Sequence, residues 1–262
     1  MLKVVTWNVN SVGVRLERLL ALLERSNPDI VMLQELKCLE EKFPFEQIRQ
    51  AGYEAQVFGQ KTYNGVAILS KSPLTDVHTG MGPFYEDSAA RIIRGKLGEL
   101  LFICCYVPNG QEVGSEKFTY KLKWLNGFYQ LIRDLKVKNT SMIIGGDFNI
   151  APQDRDVHDP LLWKDKILCS KQERETFAGL LELGLQDTFR KHHQNDGLFS
   201  WWDYRALGFQ KNQGLRIDFI LASDNLVPKC TNALIDRDER KGEKPSDHAP
   251  VVADFDLSIE PT

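Results

Sequence analysis

The run Met142-Ile143-Ile144-Gly145-Gly146-Asp147-Phe148-Asn149 constrains this chain more than any other stretch. A short apolar run closed by glycines reads as a buried strand rather than a helix. Gly145 and Gly146 let the backbone turn or approach a ligand closely, which delivers Asp147 and Asn149 just past the strand end. In open α/β sheets that carboxyl edge is where ligands bind. An Asx turn ending a strand uses the same residue types, so other parts of the chain must choose between turn and site.

The same pattern recurs along the chain. Residues 3–9 read as a strand ending at Asn8 and Asn10, and Val14 to Arg25 has apolar residues at helical spacing. Ile30 to Leu33 is a second strand, ending in Gln34-Glu35. Tyr53 to Phe58 and Val66 to Ser70 are expected to pair around Asn64-Gly65, a strong turn signal. Ile92 to Leu97 and Leu100 to Val107 form a second hairpin through Gly98-Glu99, followed by the loop that carries Tyr106 and Asn109. Residues 115–136 predict a long helix with Leu122, Leu125, Phe128, Leu131, Ile132 and Leu135 facing the core. Lys171 to Leu183 predicts another helix, stopping at Gly184. Gly214 to Leu221 predicts one strand bearing Asp218, and Pro250 to Phe255 is the last strand, preceded by Asp247-His248. Strands alternating with helices predict an α/β fold. The chain, residues 1–262, is expected to form a single domain, since it shows neither repeats nor a linker.

A net charge of −3 gives no general attraction to a polyanion or an anionic membrane, so such contacts would need local basic patches. The five cysteines are odd in number and lack Cys-x-x-Cys spacing, which argues against a disulfide framework or a zinc cluster and fits a reducing cytoplasm. No apolar stretch is long enough for a signal peptide or membrane span, so no membrane partner is expected.

Nine polar side chains fall at or beside predicted strand ends: Asn8, Glu35, Tyr106, Asn109, Asp147, Asn149, Asp218, Asp247 and His248. Hard carboxylate oxygens with few histidines and no thiolate cluster suit Mg²⁺ or Mn²⁺. The chemistry expected of such a set is phosphoryl transfer to water, which needs a cation, an oriented water, a proton acceptor and donors on the phosphate oxygens. Two bland readings stand beside it: His248 as a surface histidine, and Asp218 as an ion-pair partner of Arg216 on the same strand face.

Taken together, Trp7-Asn8-Val9-Asn10, Leu33-Gln34-Glu35, Tyr106-Val107-Pro108-Asn109-Gly110, Gly146-Asp147-Phe148-Asn149, Leu215-Arg216-Ile217-Asp218 and Ser246-Asp247-His248-Ala249-Pro250 resemble the exonuclease III family of abasic-site endonucleases. Trp202-Asp203-Tyr204-Arg205 resembles the bacterial branch of that family, within the endonuclease/exonuclease/phosphatase superfamily. The resemblance implies a four-layer, DNase I-like sandwich of two mixed β-sheets flanked by helices. It implies a monomeric, Mg²⁺-dependent repair nuclease, with Mn²⁺ able to substitute, acting on double-stranded DNA with abasic sites or blocked 3′ ends. Cleavage would fall 5′ to the abasic site and leave a 3′-OH, beside 3′–5′ exonuclease and 3′-end-cleaning activity.

By the same resemblance, Glu35 supported by Asn8 and Asp247 would hold the metal, with Asp147 and Asn149 beside it. Asp147 would activate the water, Asp218 would hold His248 against the phosphate, and Tyr106 and Asn109 would contact that phosphate. The alternative makes the His248-Asp218 pair the base. Trp201, Trp202 and Leu215 would wall a pocket for an extruded sugar, and Arg91, Lys117 and Arg205 would contact the DNA backbone. Two departures are visible against the animal branch: Glu112 replaces a basic residue, and Leu215 replaces a tryptophan. Competing classes are another phosphodiesterase on the same scaffold, such as a nonspecific nuclease or a phosphoinositide or sphingolipid phosphodiesterase, and a catalytically dead DNA-binding module.

Overall fold

A computed structural model describes residues 1–138 and 141–258. The strands run β1 (Leu2–Asn8), β2 (Ile30–Gln34), β3 (Glu54–Phe58), β4 (Val66–Ser70), β5 (Thr75–Thr79), β6 (Ile92–Leu97) and β7 (Leu100–Tyr106). They continue as β8 (Met142–Asp147), β9 (Leu185–Asp187), β10 (Trp201–Trp202), β11 (Gly214–Leu215), β12 (Asp218–Ser223), β13 (Cys230–Ile235) and β14 (Val251–Phe255). The helices that matter here are α1 (Val12–Ser26), α2 (Phe45–Gln50), α3 (Glu116–Lys138) and α4 (Lys171–Glu182).

Two six-stranded sheets result, in the orders β13-β14-β1-β2-β4-β3 and β5-β6-β7-β8-β12-β9. Each is mixed: β1 runs parallel to β2 and β7 parallel to β8, while the other pairs are antiparallel. Alternation along the strands explains the layers. Val4, Ile30, Met32 and Ile68 of the first sheet meet Phe102, Cys104, Ile143 and Ile220 of the second in one buried layer. The opposite face of the first sheet, through Val5, Trp7, Val31 and Leu33, packs on Leu19, Leu22 and Leu23 of α1 and Ile48 of α2. The outer face of the second, through Ile103, Ile144, Phe219 and Leu221, packs on Trp124, Leu125 and Phe128 of α3 and Phe177 and Leu180 of α4. Both faces of both sheets are covered, which is why the central strands read as unbroken apolar runs.

Gly145 and Gly146 serve the packing rather than a turn. They lie inside β8, which continues through Asp147. A Cβ on Gly145 would sit 2.5 Å from Met32 Cε across the sheet interface, and one on Gly146 would sit 2.0 Å from the Cys105 carbonyl. The missing side chains therefore allow the facing sheet to come close at Gly145 and the neighbouring strand β7 to come close at Gly146.

The expected strand over Gly214 to Leu221 is split. Gly214 and Leu215 pair with Trp201 and Trp202 in a separate ribbon, and the chain joins the second sheet at Asp218. Arg216 sits at the switch and is anchored by its amide to the Asp156 carbonyl. On α3 the buried face includes Trp124 and, against expectation, Lys121, while Leu122 and Leu135 are half-buried. All five cysteines are free thiols. Among the described residues no helix is long and apolar enough to cross a membrane.

Candidate active site

Strand register assembles the first row of groups. Tyr106 on β7 is the partner of Asp147 on β8, and Asp147 is the partner of Asp218 on β12. Like charges directly opposite on neighbouring strands destabilise a sheet unless something intervenes. His248 intervenes: its Nδ1 lies 3.0 Å from Asp218 Oδ2 and its Nε2 lies 3.7 Å from Asp147 Oδ2. Burial alone would lower the imidazole pKa, but Asp218 and Asp147 outweigh it and raise it to about 10, so the ring is an imidazolium at neutral pH. Ser200 Oγ donates to Asp218 Oδ2 at 2.6 Å and fixes that carboxylate. The ring is aimed by its backbone: Trp7 Nε1 donates to the His248 carbonyl at 3.1 Å, and the His248 amide donates to Ser246 Oγ.

The first sheet supplies the facing groups. Asn8, at the end of β1, donates from Nδ2 to Glu35 Oε1 at 2.8 Å and to Asp147 Oδ2 at 2.9 Å, joining the two sheets. Glu35 stands just past β2 with φ of 53°, and receives the Tyr106 hydroxyl at 3.0 Å and the Lys37 ammonium at 2.8 Å. Burial would raise the Glu35 pKa, but Lys37 and Asn8 lower it, so it is a carboxylate. Burial and the nearby Glu35 and Asp147 charges push the Tyr106 phenol well up, which keeps it a hydrogen-bond donor. Asp147, with only 1% of its surface exposed, is raised to about 7 by burial and by Asp218, against the lowering effect of His248.

Asn149, with φ of 48°, gives its amide N–H to Asp147 Oδ1 at 2.9 Å, its Nδ2 to the Val107 carbonyl, and receives Asn109 Nδ2 on Oδ1 at 3.2 Å. Asp247 sits to one side. Its carboxylate receives Asn10 Nδ2 at 2.9 Å and Trp201 Nε1 at 3.0 Å, and His248 together with these bonds lowers its pKa although burial raises it.

A carboxylate oxygen from Glu35, one from Asp147 and a ring nitrogen of His248 lie within 4.8 Å of one another. An imidazolium has no lone pair to give, so of these three Glu35 and Asp147 are the groups able to hold a divalent cation. The Lys37 ammonium on Glu35 shows that this carboxylate accommodates positive charge. The side-chain oxygens of Asn8 and Asn149, expected beside the metal, each accept one hydrogen bond in this structure. Asn8 Oδ1 accepts the Asn10 amide and Asn149 Oδ1 accepts Asn109 Nδ2, which leaves each oxygen a second lone pair. Asp247 accepts from Asn10 and Trp201 and is not one of the three groups that meet within 4.8 Å.

The expected pocket wall also needs correction. Trp202 and Leu215 are fully buried: Trp202 packs with Phe199, Ala249 and Phe209, and Leu215 with Val157, Leu168 and Ile217. Trp201 is the half-exposed member of the three, resting on that second cluster. Arg91 is at the site, its guanidinium 4.8 Å above the Tyr106 ring and donating to the Tyr106 carbonyl. Arg205 is far more exposed and pairs with its neighbour Asp203. Lys117 is exposed on the first turn of α3. Arg216 turns from Asp218 to Asp156 and Asp187, each at 2.7 Å, which removes the ion-pair reading of Asp218. Sequence reasoning missed Lys37, Asn10 and Ser200 as partners of Glu35, Asp247 and Asp218. Lys37 lies two residues from Glu35, a spacing that could have suggested the pair, whereas Ser200 meets Asp218 through the fold.

Two mixed sheets with acids and one imidazolium gathered at their shared edge define the DNase I-like α/β class. The chain belongs to the Endonuclease/Exonuclease/phosphatase family, whose sequence pattern it matches over residues 5–248. It is 37% identical to exodeoxyribonuclease III of Haemophilus influenzae over 266 residues, spanning 97% of this chain and 100% of that one. Its fold superposes on a 3′ phosphatase from Neisseria, NExo, bound to a product DNA hairpin, with TM-score 0.96, 42% identity and coverage of 98% and 100% of the two chains. An AP endonuclease from Archaeoglobus fulgidus gives TM-score 0.93 at 37% identity, again covering 98% of this chain and 100% of the other.

Proposed function

We propose that this chain is a DNA repair nuclease: a Mg²⁺-dependent phosphodiester hydrolase that cuts 5′ to abasic sites, leaves a 3′-OH, and also trims and cleans 3′ ends. The observation that carries it is the meeting of Glu35, Asp147 and His248 within 4.8 Å, in a chain of this family. Glu35 and Asp147 would hold Mg²⁺, and Mn²⁺ would substitute. Bound there, the cation supplies charge neutralisation and polarisation of a phosphate oxygen.

The chain's own groups supply the rest. His248, protonated and held by Asp218, donates from Nε2 to a non-bridging phosphate oxygen, an interaction that strengthens as negative charge builds in the transition state. Asp147, held by Asn8 and by the Asn149 amide beside Glu35 and His248, would orient the attacking water and accept its proton. A His248 already protonated cannot accept that proton, which favours Asp147 over the His248-Asp218 pair as base. Tyr106 and Asn109 add donors to the phosphate, and Arg91 orients Tyr106. Trp201, half-buried, offers the apolar surface against which a base-free sugar would rest. One domain acting as a cytoplasmic monomer completes the proposal.

The test is cleavage of an end-labelled duplex carrying one tetrahydrofuran, with and without EDTA. Incision on the 5′ side with Mg²⁺, and its loss in EDTA, is the expected outcome; internal cutting of an intact duplex at the same rate would sink the proposal. A second reading, with 3′ ends as the main substrate, is favoured by the 42% identity to Neisseria proteins described as a 3′ phosphatase and a 3′–5′ exonuclease. A nicked duplex ending in a 3′-phosphate, run beside the tetrahydrofuran duplex, ranks the two activities.

A further inference from the structure

Lys121 has no exposed side-chain surface, and neither has its partner Glu173, 2.5 Å away. Removing two charges from water is costly, so a buried pair of this kind is poor evidence of stabilisation and calls for another account. The geometry supplies one. An ammonium has three N–H donors, and here each has an acceptor: Glu173 Oε1, the Asn149 carbonyl at 2.7 Å and the Asn109 carbonyl at 3.1 Å. The two carbonyls belong to the residues whose side-chain amides are themselves joined at 3.2 Å beside Asp147. One cation thus ties the loop after β7 to the loop after β8 from beneath.

The surrounding chain is built around that ammonium. Asn149 occupies a left-handed conformation, which asparagine adopts more readily than most residues, and the ammonium bonds its carbonyl there. Gly110 has φ of +89°, and a Cβ on it would meet Lys121 Cδ at 2.9 Å, so the glycine leaves room for the lysine stem. Glu173 is fixed in turn by the amides of Leu168 and Ser170 and by Ser170 Oγ in the cap of α4. Leu168 belongs to the apolar cluster beneath Trp201.

We propose that Lys121 is a positioning residue for phosphodiester hydrolysis: its ammonium fixes the main chain of Asn109 and Asn149, and so sets their amides in register with Asp147. This rests on the reading of Asn109 and Asn149 as groups beside the reacting phosphate. Glu173 is the anchor that keeps the ammonium in place.

The experiment replaces both charges by shape-similar neutral side chains, Lys121→Met with Glu173→Met. It measures kcat and KM on whichever DNA the parent cuts fastest, at a temperature where circular dichroism shows both proteins folded. Misplacement of catalytic groups by about 1 Å costs about 10²-fold, so kcat is expected to fall by about that factor with KM within about threefold of the parent. A folded double variant that keeps the parent's kcat, or that loses activity through KM alone, overturns the proposal. Should the methionine pair not fold, Lys121→Gln with Glu173→Gln takes its place with the same two outcomes, since glutamine is too short to reach both carbonyls and residue 173. A parent that ignores abasic DNA but cuts 3′ ends would count against abasic incision and leave this comparison intact.

Discussion

Asp147 and Asp218 are direct cross-strand partners on β8 and β12, and the His248 ring is placed between their carboxylates, 3.7 Å from one and 3.0 Å from the other. Two buried acids facing each other would by themselves force one to take up a proton. The imidazolium placed between them answers both charges: Asp218 and Asp147 hold it protonated, and it in turn lowers the Asp147 pKa that burial and Asp218 raise.

The protonation state of His248 is directly observable. Nitrogen-15 NMR of the chelator-treated protein should show both ring nitrogens protonated at pH 8, since the pKa is raised to about 10 and the charged form persists below it. Asp218→Asn removes the main raising charge and should move the midpoint down by about 1 to 3 pH units. A neutral ring at pH 8 in the parent would refute the assignment of His248 as a donor.

The division of labour predicts kinetic losses of one kind. Asp147→Asn and His248→Asn each lower kcat by about 10²-fold or more, the scale expected when a proton acceptor or a transition-state donor is lost. Single-turnover cleavage measures this without interference from product release. Unchanged rates in either variant would remove that residue from the mechanism.

Metal dependence should trace to Glu35. Chelation is expected to abolish cleavage and added Mg²⁺ to restore it. If Glu35 holds the cation as proposed, Glu35→Gln should raise the Mg²⁺ concentration for half-maximal rate by at least about tenfold. A titration of rate against Mg²⁺ in parent and variant reads this, and coincident curves would place the cation elsewhere.

Acid stability should depend on a different acid. Asp156 is buried with Arg216 at 2.7 Å and Arg190 at 2.6 Å; burial would raise its pKa, but the two guanidiniums lower it below 3.8. A carboxylate with a depressed folded-state pKa contributes stability above its unfolded value, and that stability is lost as pH falls through the folded value. Asp156→Asn should therefore cost about 3 to 5 kcal/mol at pH 7 and much less near pH 2, measured by urea unfolding at the two pH values. An equal cost at both would contradict the charge pairing.

Much of the fold was legible because both sheets are buried on both faces. Central strands such as Ile30–Gln34 and Met142–Asp147 are continuous apolar runs, and the turn at Asn64-Gly65 was readable in the sequence. Thr75–Thr79 and Cys230–Ile235 were not expected as strands. They lie on sheet edges, are largely exposed and carry polar residues, so their backbone pairing leaves little trace in hydropathy. Lys121 escaped for a related reason: a lysine on an amphipathic helix reads as solvated surface until its partner, 52 positions away, is seen beneath the site.

By itself the sequence determined which residue types stand at the strand ends, because hydrophobic periodicity fixes where strands stop and which polar groups follow them. Tertiary structure decided what those groups do. Register set Asp147 against Asp218, the meeting of the sheets brought Asn8 onto Glu35 and Asp147, the carboxylates around His248 kept it protonated against the effect of burial, and packing sealed Trp202 and Leu215 while leaving Trp201 half-buried. Local propensity can place a side chain on a strand, but only the packing of distant segments sets its dielectric, its neighbours and therefore its chemistry.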